Sequence, residues 1–259
     1  MRRLTRTLLI SALVLTSTAA CAQAAPKISF TARATPVTGF TASGNVVGAG
    51  ASLELRLGIS DTEHGAFPPP LEHLAVRLPA GMRWDASAFP HCSYSPLEPR
   101  SPGPAGPKCP PHSRAGAVTA GQFAVSSGQT VAPDPASIET FYDQGGGFYI
   151  FVLAHDRALA FLSHGVFTRP APAGQVLAFD LPSLVTVPNA WSASVTSFTL
   201  RIGTGAKRAG RAFFSLRMPR TCPRGALSFK VEARFGGATP QTASARSRAP
   251  CPRARRTHP

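Results

Sequence analysis

The chain has 259 residues, of which 43% are apolar, and carries 27 lysines and arginines against 12 acids for a formal charge of +15. That length and apolar content suffice for a real core, which excludes a fold that disulfides alone hold together and leaves them to supplement the core. Such a basic balance raises nucleic acid as a partner, but the distribution argues against it. Arg246, Arg248, Arg253, Arg255 and Arg256 crowd the C-terminal end, and arginine beside abundant Ala, Gly and Pro is what GC-rich coding produces without selection for binding. No RNP, zinc-finger or helix-turn-helix signature accompanies the charge, so the reading is no nucleic acid and a solvated basic surface.

The first segment reads as an export signal over residues 1–24. Arg2, Arg3 and Arg6 precede the apolar run Leu8 to Leu15, and Ala22-Gln23-Ala24 supplies a small-residue cleavage site before Ala25. The run is about half the roughly 20 residues that a membrane-spanning helix needs, and no later segment is apolar for long enough either. The expected location is therefore secreted, extracellular. Thr18-Ala19-Ala20-Cys21 also resembles a bacterial lipobox, departing from it at Thr18, and would make Cys21 a lipidation site and a cell-surface anchor.

Beyond the signal the hydrophobic period is two almost everywhere. Ile28 to Arg33 is a weak strand candidate, and Leu53, Leu55, Leu57 and Ile59 alternate with polar or small residues in a clear one. Leu74, Val76 and Leu78 repeat the pattern before Pro79-Ala80-Gly81 turns the chain. The stretch from Pro96 to Pro111 holds seven prolines and cannot be a regular strand. Ala117 to Val125 and Ile138 to Tyr142 are weaker strands. Gly147 to Ala154 is nearly continuous apolar sequence, suited to a strand covered on both faces. Arg157 to His164 fits a short helix or a strand. Val176 to Leu181, Val195 to Ile202 and Leu227 to Phe235 complete the set. Gly- and Pro-rich turns separate them. The fold class expected is all-β: an antiparallel β-sandwich, Ig-like or jelly-roll-like, with a disulfide-stapled C-terminal β segment. The expected division is a sandwich over 26–206, the stapled segment over 207–251 and a basic, disordered tail over 252–259. Two smaller sandwiches meeting near residue 130 are the alternative.

An exported chain with an even cysteine set reads as a disulfide framework. The local pairs are Cys92/Cys109, closing the proline-rich loop, and Cys222/Cys251, fastening the last hairpin.

The order Leu78-Pro79-Ala80-Gly81-Met82, Cys92, then Cys109-Pro110-Pro111-His112-Ser113-Arg114-Ala115-Gly116 resembles a group of secreted β-rich actinobacterial proteins. That group carries LPxG(L/M) followed by C…CPxxSxxG, and the stretch Thr221-Cys222-Pro223 to Cys251 is similar to its terminal Cys-Pro module. The resemblance spans about residues 40 to 252. It implies a secreted β fold and lends no activity, cofactor or catalytic residue.

Candidate chemistry is sparse. Ser163 and His164 are adjacent, but neighbours on a strand point to opposite faces and cannot easily bond. His91 and His112 flank the Cys92/Cys109 pair, so a zinc site is conceivable, yet an oxidising compartment favours the disulfide. Asp61, Glu63, Asp134, Glu139, Asp143 and Asp156 are the acids outside obvious strand surfaces, without the spacing of a calcium loop. Trp84, Trp191, Tyr94, Tyr142 and Tyr149 could stack on sugars or pack in the core. The sequence therefore predicts no catalytic residue, no metal and no cofactor. It predicts a non-catalytic structural or binding protein of the cell envelope or of an adhesion type, whose partner is an anionic cell-wall polymer or a carbohydrate. The alternative is a secreted hydrolase or carbohydrate-binding protein acting on polysaccharide or envelope polymer.

Overall fold

The structure, a computed structural model, describes residues 26–37, 50–60, 68–93, 109–127, 130–155, 160–168, 174–182, 192–221, 226–237 and 239–251. The signal, Cys21, Cys222 and the 252–259 tail lie outside the described residues. The described elements are all strands: β1 (Lys27–Pro36), β2 (Ala51–Ser60), β3 (Leu71–Arg77), β4 (Arg83–Trp84), β5 (Thr119–Ser127), β6 (Thr130–Tyr142), β7 (Phe148–Ala154), β8 (Ala160–Thr168), β9 (Val176–Asp180), β10 (Ser192–Ile202), β11 (Gly205–Arg208), β12 (Arg211–Phe214), β13 (Leu216–Arg217), β14 (Leu227–Phe235) and β15 (Gln241–Ala249). No helix among the described residues is long and apolar enough to cross a membrane.

Eleven strands form one antiparallel sheet in the order β1-β2-β10-β5-β6-β7-β8-β9-β3-β14-β15. Its edges, β1 and β15, lie side by side, so the sheet is nearly closed into a barrel. At this seam the Ala32 backbone N–H donates to Ser247 Oγ at 2.9 Å. The sequence predicts two facing sheets; the hydrogen bonding builds one rolled ladder, with smaller two-stranded additions β11-β12 and β13-β4. Alternation cannot separate the two, because a sandwich and a barrel both put every second side chain inside. The curvature has visible devices: the ladder shifts between Val195 and Ser197 against β5, and between Arg234 and Phe235 against β3. β14 and β15, set apart by the sequence reading as a terminal segment, join this same sheet through β3.

Inward positions follow the predicted period. Leu53, Leu55, Leu57 and Ile59 of β2 face Phe30, Ala32 and Ala34 of β1, and Phe229, Val231, Ala233 and Phe235 of β14 are fully buried. A one-residue slip would move each set into water, so the register is strongly fixed. β7 is covered on both faces, as its apolar run predicts: Phe148, Ile150 and Val152 enter the main core, while Phe151 packs outside with Phe141, Cys92 and Cys109. Of the stretch Arg157 to His164, ambiguous in sequence, the described residues from Ala160 onward belong to strand β8. Arg246 and Arg248, read from sequence as part of a tail, stand on β15.

One end of the barrel is plugged by residues 78–93. Leu78 to Met82 makes a tight turn in which the Met82 N–H donates to Pro79 O at 3.1 Å, with Gly81 at φ +81°. A type II turn requires that left-handed third position, which glycine adopts without cost. Met82, Trp84, Ala86 and Phe89 are then buried. Trp84 stacks on Phe167 at 4.8 Å and its Nε1 donates to Gly146 O at 2.7 Å.

Candidate binding groove at the plugged end

The Cys109-Pro-Pro-His-Ser-Arg-Ala-Gly stretch is laid down at the same end as the plug. Ser113 N–H and Oγ both donate to Pro110 O, at 3.2 and 2.7 Å, closing a turn with Pro111 second and His112 third. His112 there has φ +64°, a left-handed conformation that side chains with a Cβ rarely adopt. The next residues wedge between β6 and β10: Tyr142 N–H donates to Ser113 O, Ala115 N–H to Thr140 O and Gly203 N–H to Ala115 O, each at 2.8 Å. A Cβ on Gly116 would stand 1.8 Å from Arg201 O, so only glycine lets this strip lie so close to β10.

From the end of β10 the chain continues into the β11-β12 hairpin, where Arg208 pairs with Arg211 across the two-residue turn Ala209-Gly210. Both turn residues are left-handed, at φ +48° and +74°. Among the described residues, His112 and Ala209 alone are non-glycine and left-handed. His112 lines the groove that the hairpin also borders.

That groove measures about 610 Å³ and lies between the plug, the 112–114 strip and β11. Ala88, Phe89 and Pro90 supply an apolar floor, Arg114, Lys207 and Arg208 supply the charge, and His112 adds an exposed imidazole. Arg114 is held in place by Glu139 at 2.7 Å, and its guanidinium lies 5.9 Å from the centre of the Phe141 ring. Beneath the floor, Tyr142 packs on Phe89 at 4.7 Å and bonds Thr204, a groove residue. Burial pushes the Tyr142 hydroxyl up to about 12, against smaller lowering by Ser215 and Thr204. The phenol therefore stays neutral, and it serves as a fixed post under the hairpin.

Other predicted candidates fall elsewhere. Cys92 and Cys109 form the expected disulfide, with Cα atoms 5.2 Å apart, so their sulfurs are spent on the staple rather than on a metal. No group of three or more metal-ligating side chains occurs among the described residues. The Cys222 end of the second pair is outside the described residues, as are Asp61, Glu63, Tyr94, Asp156 and Trp191. Ser163 and His164 do point to opposite faces. Ser163 Oγ donates to Asp180 O and lines an apolar interior cavity of about 30 Å³, whereas half-exposed His164 bonds buried Asp143 on the outside. Asp143 also accepts from Gly147 N–H at 2.5 Å, which makes it the anchor of the 143–147 turn. Trp84 and Tyr142 are core residues, while Tyr149 is half-buried and lies 5.1 Å from the His164 ring. Asp134 is fully buried.

Sequence reading missed the groove. Its walls come from residues 88–90, 112–114 and 204–208, which no local pattern links. The one available signal was Pro-Pro-His-Ser, a turn whose third position holds a histidine. Comparison with protein-family models, with curated proteins and with solved structures finds no match to this chain.

Proposed function

We propose that the chain is a secreted, non-catalytic binding protein of the cell envelope, whose groove takes a segment of anionic polymer. The observation that carries this reading is the convergence of Arg114, Lys207, Arg208 and His112 around an apolar floor on a disulfide-braced end of the barrel. Cationic side chains draw the anion, and half-buried Ala88 and Pro90, backed by Phe89, give its uncharged backbone a surface to rest on. Loops carried on a rigid sheet are where binding residues accumulate. The leader supports export, Cys21 keeps a lipid-anchored form open, and the Cys-Pro spacing supports a Cys222–Cys251 staple. The resemblance to secreted actinobacterial β proteins is part of the same reading.

The test is retention of the purified protein on insoluble cell wall. Wild type is expected to bind at low salt and elute as salt rises, and Lys207→Gln with Arg208→Gln is expected to elute markedly earlier. Retention that ignores both salt and these substitutions would remove the groove from the account.

A further inference from the structure

We propose that the outer face of β3, β14 and β15 is a second binding surface, for a linear, oxyanion-bearing polymer lying across the strands. The observation is one of register. Lys230 of β14 is directly opposite Arg77 of β3 on one side and directly opposite Arg246 of β15 on the other. Phe229, Val231, Ala233 and Phe235 point inward, so Lys230 and its opposite partners share the outer face. Three cations thus stand in one row, roughly 4.8 Å from strand to strand. Like charges directly opposite each other destabilise a sheet.

The rest of the face relieves this only in part. Five cations (Arg77, Lys230, Arg234, Arg246 and Arg248) meet two acids, Glu232 and Glu72. Glu232 bonds Lys230 at 2.5 Å, and Glu72 lies 3.8 Å from Arg234. His73 and Asp180 pair with each other at 2.7 Å at the margin. Neither Arg246 nor Arg248 has an ion-pair partner among the described residues.

Edge protection does not account for the arginines. Charged side chains on an edge strand guard it against pairing, but β15 already lies beside β1 and is tied to it by the Ala32–Ser247 bond. A merely solvated strand would lose nothing by placing its arginine opposite Glu232, where Ser244 stands instead. What the arrangement gains is a line of positive charge flanked by hydroxyls: Ser228 opposite Arg248, Ser244 opposite Glu232 and Thr242 opposite Arg234. Guanidinium, ammonium and hydroxyl donors in a row suit phosphate or carboxylate oxygens repeating along a chain. The outward positions of β14 and β15 hold no aromatic or large aliphatic side chain, so the face has nothing to stack on bases or to enter a bilayer.

The inference shares an anionic partner with the groove reading, and the two separate by residue. The test uses the exported chain with fluorescein-labelled inorganic polyphosphate as probe, followed by anisotropy over a salt series. Arg246→Thr with Arg248→Thr is expected to weaken binding about tenfold or more at low salt and to flatten the salt slope by roughly 1.4, at about 0.7 per phosphate contact on a single strand. Its melting temperature is expected to hold or rise, because repulsion against Lys230 is relieved. Glu232→Gln is expected to do the opposite, tightening binding and lowering the melting temperature. A loss under twofold in the arginine variant overturns the proposal, and so does a large fall in its melting temperature. Loss confined to Lys207→Gln/Arg208→Gln overturns this surface and leaves the groove standing; loss confined to the β15 variant does the reverse. Stronger binding to oligothymidylate, or to phosphatidylglycerol vesicles, than to polyphosphate also overturns it, in favour of nucleic acid or membrane.

Discussion

Tyr142 donates its hydroxyl proton to Ser215 Oγ at 2.7 Å, tying the last residue of β6 to the residue that follows β12. Ser215 Oγ in turn accepts from Thr204 N–H at 3.0 Å, and Ser215 N–H donates to Thr204 O at 3.1 Å. The phenol also bonds Thr204 Oγ1, so the base of the groove-lining hairpin is closed by one phenol, two hydroxyls and the backbone. All of it is buried or half-buried, where an unmade hydrogen bond is expensive.

Tyr142→Phe is expected to lower stability by about 1–2 kcal/mol at neutral pH, since Ser215 and Thr204 lose a partner. A second signature lies in alkali. The hydroxyl titrates at about 12 when folded against 10.0 ordinarily, so the unfolded chain releases its proton first. Stability from this group is whole below pH 10 and is lost as pH rises toward 12, by roughly 3 kcal/mol for two pH units. Urea titrations at neutral pH and across this window should show the loss in wild type and a shallower one in the variant.

Glu54 gives the acid counterpart. Its carboxylate bonds Arg201, and Arg56 Nε donates to it at 2.8 Å; these cations, Arg201 first, hold it below its ordinary 4.5 despite burial. The unfolded chain takes up the proton first as pH falls, so the contribution is present above pH 4.5 and disappears as pH drops through the lower folded value. Glu54→Gln is expected to cost roughly 1–2 kcal/mol at neutral pH and to flatten the fall in stability below pH 4.5. Denaturant midpoints at a series of acid pH values measure both.

The strands were legible wherever one face alternates: β2, β3, β9, β10 and β14 stand where the period-two pattern puts them, and β7 stands where the continuous apolar run does. β6 was harder, because Pro133 and Pro135 interrupt its first half and only Ile138 to Tyr142 reads as strand. The β11-β12 hairpin was illegible, since Gly-Ala-Lys-Arg and Arg-Ala-Phe-Phe carry no alternation and Ala209-Gly210 is a weaker turn signal than Asn-Gly. Register was also out of reach. No local feature says that Arg77, Lys230 and Arg246, spread over 170 residues, share one row; long-range pairing decides it.

Gly116 is expected to resist even the smallest substitution. An alanine Cβ would lie 1.8 Å from Arg201 O and 2.5 Å from its carbonyl carbon, which are backbone atoms of a central strand and cannot rotate aside. Gly116→Ala should therefore cost about 3 kcal/mol, at the upper end for overpacking. A melting curve unchanged from wild type would mean that the 113–116 strip is not wedged between β6 and β10.

Ala209 offers a gain. Its left-handed backbone opens a two-residue hairpin turn in which Asn is preferred, so Ala209→Asn should raise stability by roughly 0.5–1 kcal/mol. Polymer retention should be unaltered, because the groove side chains Lys207 and Arg208 are retained. Chemical denaturation and the cell-wall assay together check this.

The Cys92–Cys109 bridge spans 17 residues of sequence and sits over Phe141 and Phe151 on the outer wall. Its removal relaxes the unfolded chain and uncovers that small apolar cluster, so Cys92→Ser with Cys109→Ser should cost about 3 kcal/mol. The main core lies inside the barrel, away from this cluster, and the variant should keep a β-type circular dichroism spectrum at room temperature. Non-reducing peptide mapping of the exported chain should recover Cys92 with Cys109 and Cys222 with Cys251. A crossed pairing would contradict the Cys92–Cys109 bridge and leave the proline-rich loop without its closure.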